Sequence, residues 1–284
     1  MINNRLRTFI ISLLCSFTFA PVFSSDTLEE AAENEWDVTE PKGEMKTISI
    51  DTTETTWSNL SVSKDGETIV FDMLGDIYTI PISGGEASPL VQGFDWNMQP
   101  AYSPNGQSIA FISDRDGASN LWIMDANGDN PRQISSEETA LIHTPSWSPD
   151  GNFVAVTKGF MSSRSIPAGE IWMYHRSGGD GVMVTKRAYG PHTQKNMTDP
   201  AFSPDGKYLY YTDDVTPGRI WQYGKNSTTE LFNIMRHDLE TGESISYIGG
   251  AGGAIVATPS PDGEYMAYLK REDTKTVLYL KNLK

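Results

Sequence analysis

Pro145-Ser146-Trp147-Ser148-Pro149-Asp150-Gly151, followed after Asn152 by the apolar run Phe153-Val154-Ala155-Val156, is the stretch on which the reading of this chain turns. Proline presets φ at the first corner of a tight turn. The aspartate bonds back to nearby amides, and glycine takes up the positive φ that closes the corner. A turn of this kind ahead of an apolar run predicts a hairpin whose second strand is buried.

The same turn returns as Ser63-Lys64-Asp65-Gly66, Ser103-Pro104-Asn105-Gly106, Ser203-Pro204-Asp205-Gly206 and Ser260-Pro261-Asp262-Gly263, its glycines spaced by 40, 45, 55 and 57 residues. An apolar run follows each copy: Thr68-Ile69-Val70-Phe71, Ser108-Ile109-Ala110-Phe111-Ile112, Tyr208-Leu209-Tyr210-Tyr211 and Tyr265-Met266-Ala267-Tyr268. Third strands then read Asp76–Ile80, Asn120–Met124, Glu170–Tyr174, Phe232–Arg236 and Val277–Leu280. A second glycine turn leads to a more polar fourth strand. Four short strands per unit predict an all-β fold, a β-propeller of four-stranded antiparallel blades. An irregular β-sandwich would leave the spacing unexplained. Five blade repeats are visible. The last is incomplete, because Lys284 falls where Glu240 sits in the fourth, before the turn to a fourth strand. The expectation is therefore the front of a longer protein; the alternative is a self-contained five-blade disc patched by a strand at Lys46–Asp51.

The flanks read differently. Arg5 and Arg7, the apolar stretch Thr8–Phe19 and the small residues Ser24 and Ser25 form a secretory signal over residues 1–25, with a retained anchor as the alternative. Residues 26–46 form an acidic flexible leader, and residues 47–284 the propeller. The expected location is periplasmic or secreted, with no membrane insertion after signal removal. The single cysteine, Cys15, lies in the signal, so thiol and disulfide chemistry is excluded from the mature chain. A net charge of −15 makes nucleic acid an unsuitable partner.

Within the repeat, the elements Pro100-Ala101-Tyr102-Ser103-Pro104, Pro145-Ser146-Trp147-Ser148-Pro149 and Pro200-Ala201-Phe202-Ser203-Pro204 resemble the TolB-like (WD40-like) propeller repeat. The first and fifth copies depart from it through Lys64 and Ala257. The stretch Ile69–Tyr78, with Asn120–Asp125, Asn130-Pro131-Arg132-Gln133 and Ile171–His175, is similar to the N-terminal propeller of secreted metal-dependent amidohydrolases. That resemblance implies an accessory or recognition domain beside a barrel that hydrolyses C–N bonds through an H-x-H metal site. No such residues occur in this chain, so no cofactor, metal or catalytic residue is expected here. A TolB-like scaffold docking an envelope protein is one alternative. The propeller of a prolyl-oligopeptidase-like or tricorn-like peptidase is the other. The implied partners are a downstream catalytic domain or an envelope protein.

No local motif contradicts this. His143, His175, His192 and His237 form no metal-ligand pair, and no G-x-S-x-G elbow is present. Blade topology puts the Ser-Pro-Asp-Gly turns on one face of the disc. The insertions Lys158–Ala168, Lys186–Asp199 and Asp213–Leu231 fall on the other. They carry the candidate binding residues Phe160, Arg164, Tyr189, His192, Arg219, Trp221 and Tyr223, aromatics and cations on long loops over a rigid scaffold. These side chains either recognise a partner or pack on one another.

Overall fold

The computed structural model describes residues 37–161, 167–221 and 228–284. Regular structure begins at Leu60, and Lys46–Asp51 forms no strand, so the patching strand of the alternative reading is not found. Blade I comprises β1 (Leu60–Val62), β2 (Thr68–Met73), β3 (Asp76–Pro81) and β4 (Ser88–Val91). Blade II follows with β5 (Asn97–Tyr102), β6 (Ser108–Ser113), β7 (Asn120–Asp125) and β8 (Arg132–Gln133). Blade III has β9 (Leu141–Trp147), β10 (Phe153–Met161), β11 (Pro167–His175) and β12 (Val182–Met183). Blade IV has β13 (Met197–Phe202), β14 (Tyr208–Asp214), β15 (Phe232–Asp238) and β16 (Ser244–Ile248). Blade V has three strands, β17 (Ile255–Pro259), β18 (Tyr265–Glu272) and β19 (Lys275–Asn282). Every sheet is antiparallel with its strands in sequence order.

The turns behave as their chemistry requires. In blade III the Ser148 hydroxyl donates to Asp150 Oδ1 at 2.5 Å and accepts the Phe153 amide at 2.9 Å, while Asp150 also accepts the Asn152 amide. The five glycines sit at φ from +69° to +76°, open to glycine without strain. The turns also stack around the axis. A Cβ built on Gly151 would touch Pro104, one on Gly206 would touch Pro149, and one on Gly263 would touch Pro204. Lys64 holds the proline's place against Gly106. One repeated tetrapeptide thus closes a hairpin and abuts the preceding blade.

The core is divided. Val70, Ile77, Ile109 and Phe111 fill the layer between blades I and II, and Ile112, Leu121, Ile142, Trp147, Val154 and Tyr174 fill that between II and III. Ala155, Ile171, Leu209 and Tyr211 lie between III and IV; Tyr210, Ile234, Ala257 and Met266 lie between IV and V. The second strands of blades II, III and IV are buried on both sides because each lies between two neighbouring blades.

One predicted loop is strand instead. Lys158–Ala168 was expected as an insertion, but β10 and β11 continue pairing through Lys158↔Glu170, Gly159↔Gly169, Phe160↔Ala168 and Met161↔Pro167. The charged residues of the extended hairpin are accommodated because Lys158 finds Glu137 at 2.7 Å and Glu170 finds Arg187 at 2.8 Å.

Candidate functional site: the propeller axis

The innermost strands share an unusual backbone feature. Gln99, Thr144, Asp199 and Val256 all have φ between +53° and +56°, each at a bulge where the register with the next strand shifts. Left-handed backbone costs about 1–2 kcal/mol for such residues, most for β-branched Thr144 and Val256. At three of the four bulges the amide is held from the neighbouring blade. Asp72 Oδ2 accepts the Gln99 amide at 2.8 Å, and Thr212 Oγ1 accepts that of Val256 at 3.1 Å. In blade II the position matching Asp72 and Thr212 is Ile112, which cannot accept. Gln99 Oε1 accepts the Thr144 amide at 2.6 Å in its place.

These bulges border an axial cavity of about 600 Å³, lined by all five inner strands and framed at one end by Pro104, Pro149 and Pro261 of the turns. Its walls carry Tyr102, Trp147 and Phe202, the aromatic residues of the repeated Pro-x-aromatic-Ser element. Asp199 lines it as well. Burial raises its pKa against hydrogen bonds from Thr198 and Thr212, and among the described residues no cation pairs with it. The cavity is an aromatic- and proline-walled recess with one uncompensated carboxylate.

The opposite face is tied together by ion pairs between the inter-blade connections and the blades. Arg115 meets Asp95 at 2.9 Å and stacks on Phe111 and Trp122. Lys158 meets Glu137, which also accepts from the Tyr174 hydroxyl. Lys195 meets Asp214 at 3.0 Å and also donates to Thr216. Phe160, Tyr189, His192, Arg219 and Trp221, the sequence-derived candidates within the described residues, lie on this face. Phe160 is covered by Arg187 at 4.4 Å and Lys158 at 5.5 Å. Tyr189 and His192 are exposed at a short 3-10 turn, Gly190–His192. The Arg219 carbonyl accepts from the Gln194 amide, and Gln194 Oε1 accepts from the Trp221 amide, which brings two of the predicted loops side by side. Arg164, Tyr223 and residues 1–25 lie outside the described residues. Among the described residues, no three His, Cys, Asp or Glu side chains are grouped so as to hold a metal.

Sequence reasoning missed the axis, although a signal was there. Gln99, Thr144 and Asp199 each precede the repeated proline, and Asp199 is the charged one.

Two titrating groups near this region oppose each other. Burial, then the neighbouring Asp214, pushes Asp213 up to about 6, offset in part by Lys195. Burial alone holds His143 down at about 4. Folded Asp213 keeps its proton where the unfolded chain has lost it, so its contribution is present below about pH 4 and lost as pH rises through 6. His143 has the opposite sign: the unfolded chain takes up a proton first, and stability falls as pH drops below about 6.5. Asp213→Asn therefore raises stability at pH 7 by about 1 kcal/mol, discounted for partial exposure. It also leaves the His143 slope uncovered, so urea midpoints drop more steeply from pH 6.5 to 4.5 than in the parent. A parallel profile would refute the assignment.

The architecture is that of a β-propeller, and residues 60–176 match the family described as the TolB beta propeller domain. The fold agrees with that of a protein assigned as TolB from Agrobacterium tumefaciens: TM-score 0.62 at 18% identity, covering 80% of this chain and 76% of that one. The chain is 31% identical over 170 residues to YuxL, an uncharacterised peptidase of Bacillus subtilis, covering 50% of this chain and 25% of YuxL. It is 28% identical over 155 residues to a protein of Sulfurisphaera tokodaii assigned as a tricorn-like protease C-terminal subunit, covering 55% of this chain and 16% of that protein. The chain thus spans a quarter or less of the length of these curated relatives.

Proposed function

We propose that this chain is the recognition propeller of an exported hydrolase, and that its axial cavity receives a basic side chain of an extended peptide segment. The observation that carries this reading is Asp199: a carboxylate in a recess, without a cation among the described residues, beside aromatic and proline walls that suit an aliphatic stem. An entering guanidinium or ammonium replaces lost hydration with a charge-assisted hydrogen bond. The peptidase-class relatives favour a peptidase as the catalytic partner. The stretches Ile69–Tyr78 and Asn120–Asp125 favour the second reading, a metal-dependent amidohydrolase. In either case Phe160, Arg164, Tyr189, His192, Arg219, Trp221 and Tyr223 form the surface that docks the catalytic domain, and residues 1–25 direct export.

Binding of labelled Gly-Arg-Gly and Gly-Gln-Gly, both blocked at each end, tests the cavity. The arginine peptide is expected to bind about tenfold or more tightly, and the preference vanishes in Asp199→Asn. Equal binding of the two peptides, or an unchanged preference in the variant, refutes the reading. Which hydrolase is attached is read from the frame beyond the Lys284 codon, as a Ser-Asp-His domain or an H-x-H barrel.

A further inference from the structure

Comparing the blades position by position exposes one departure. Where β2, β6, β10 and β18 carry Val70, Ala110, Ala155 and Ala267, blade IV carries Tyr210; where their partners are Thr79, Ile123, Met173 and Leu280, blade IV carries Arg236. Four blades thus pair a small apolar residue with a residue of moderate size, whereas blade IV pairs a phenol with a guanidinium.

The pair lines a cavity of about 520 Å³ between blades IV and V, separate from the axis. The Arg236 guanidinium lies over Tyr208 at 4.5 Å and Tyr247 at 4.9 Å, which fixes its plane and leaves its edge donors available. Arg115, Lys158, Arg187 and Lys195 each have a carboxylate within 3.0 Å; Arg236 makes no ion pair or side-chain hydrogen bond among the described residues. Tyr210 is 5% exposed, and its hydroxyl has no partner among the described residues. Burial raises that phenol to about 12, which keeps it a donor at neutral pH. Two donors, one charged and one neutral, thus lack acceptors at the wall of one cavity. Asp205 and Asp262 stand at the rim. Each is bonded to its own turn serine and held below the usual carboxylate range, chiefly by that hydroxyl.

We infer that the cavity between blades IV and V is a binding site for a free α-carboxylate, that of a short peptide or an amino acid, held by the Arg236 guanidinium and the Tyr210 hydroxyl. A planar carboxylate matches the guanidinium edge, and the volume suits a ligand of two or three residues. The rim aspartates disfavour a bare polyanion and favour a ligand whose far end is an ammonium. The site is independent of Asp199.

Calorimetric titration of the chain with tri-alanine, tri-alanine C-terminal amide and alanine tests this. Tri-alanine binds, and its amide binds at least about tenfold more weakly. Arg236→Met, which installs the residue found at this place in blade III, weakens the acid by about 10- to 100-fold, and Tyr210→Phe by about three- to tenfold. Alanine binding as tightly as tri-alanine identifies the free amino acid as the ligand; a clear preference for tri-alanine identifies the peptide terminus. Equal affinity for acid and amide, no binding of any probe, or full affinity in a folded Arg236→Met variant overturns the inference. Should Arg236→Met melt far below the parent, Tyr210→Phe and the acid-to-amide ratio of the parent decide.

Discussion

Lys195→Met is expected to destabilise the propeller by about 3–5 kcal/mol at pH 7, and so to lower Tm by roughly 10–15 °C. The side chains of Lys195 and Asp214 are 4% and 0% exposed, so this pair differs in kind from the surface bridge of Lys207 with Asp205. Removing the ammonium takes the Lys195 partner from the Asp214 carboxylate, which also accepts from the Thr216 amide and hydroxyl and lies beside the partly buried carboxylate of Asp213. The loss shrinks as pH falls towards 4, because protonation relieves the repulsion between the two acids. Asp214→Leu added to Lys195→Met recovers most of the loss, since a well-packed apolar pair lacks the desolvation penalty of the ions. Thermal melts of the single and double variants at pH 7 and 4.5 measure all of this. A single-variant loss below 1 kcal/mol would place Lys195 among ordinary surface charges.

Gly169→Ala is the second large effect, and its origin is steric. Gly169 is buried in β11, and a Cβ there would stand closer than van der Waals contact to the Met197 carbonyl oxygen and Asn196 Oδ1, and 2.8 Å from Thr157 Cγ2. The carbonyl belongs to the backbone of blade IV and cannot turn aside as a side chain can. The strands must separate, weakening the 2.7 Å bond from the Gly169 amide to Asn196. The expected loss is about 3 kcal/mol, near the upper end of overpacking costs. Gly159 faces Gly169 across the hairpin and would place its Cβ no nearer than 3.4 Å to any atom, so Gly159→Ala costs far less. Denaturant unfolding of both variants checks the contrast, and equal losses would refute the steric account.

The blades could be read from the chain because turn chemistry is local. Ser, Pro, Asp and Gly act within one tetrapeptide, and the apolar run after each turn needs only burial from both sides. The β10–β11 extension could not be read. Lys158 falls in the expected insertion until Glu137, 21 positions away, is seen to neutralise it. The axis was harder still. Gln99, Thr144, Asp199 and Val256 converge only because five strands whose starts lie 37 residues or more apart meet around one line, and no local pattern carries that information. Arg236 and Tyr210 could have been found by aligning the repeats on one another, for they break a rule that the other four blades keep.

The division of the core into four layers gives the protein a tolerance that a single shared centre would not. Each layer is bounded by two blades, so a blade can lengthen at its far end without disturbing packing elsewhere. Blade III has done so: β10 and β11 run nine residues each where β6 and β7 run six, while the layer between blades I and II remains built from Val70, Ile109 and Phe111. New surface can therefore be acquired one hairpin at a time on an unchanged frame. A protein built this way can alter what it recognises without first finding a new way to fold.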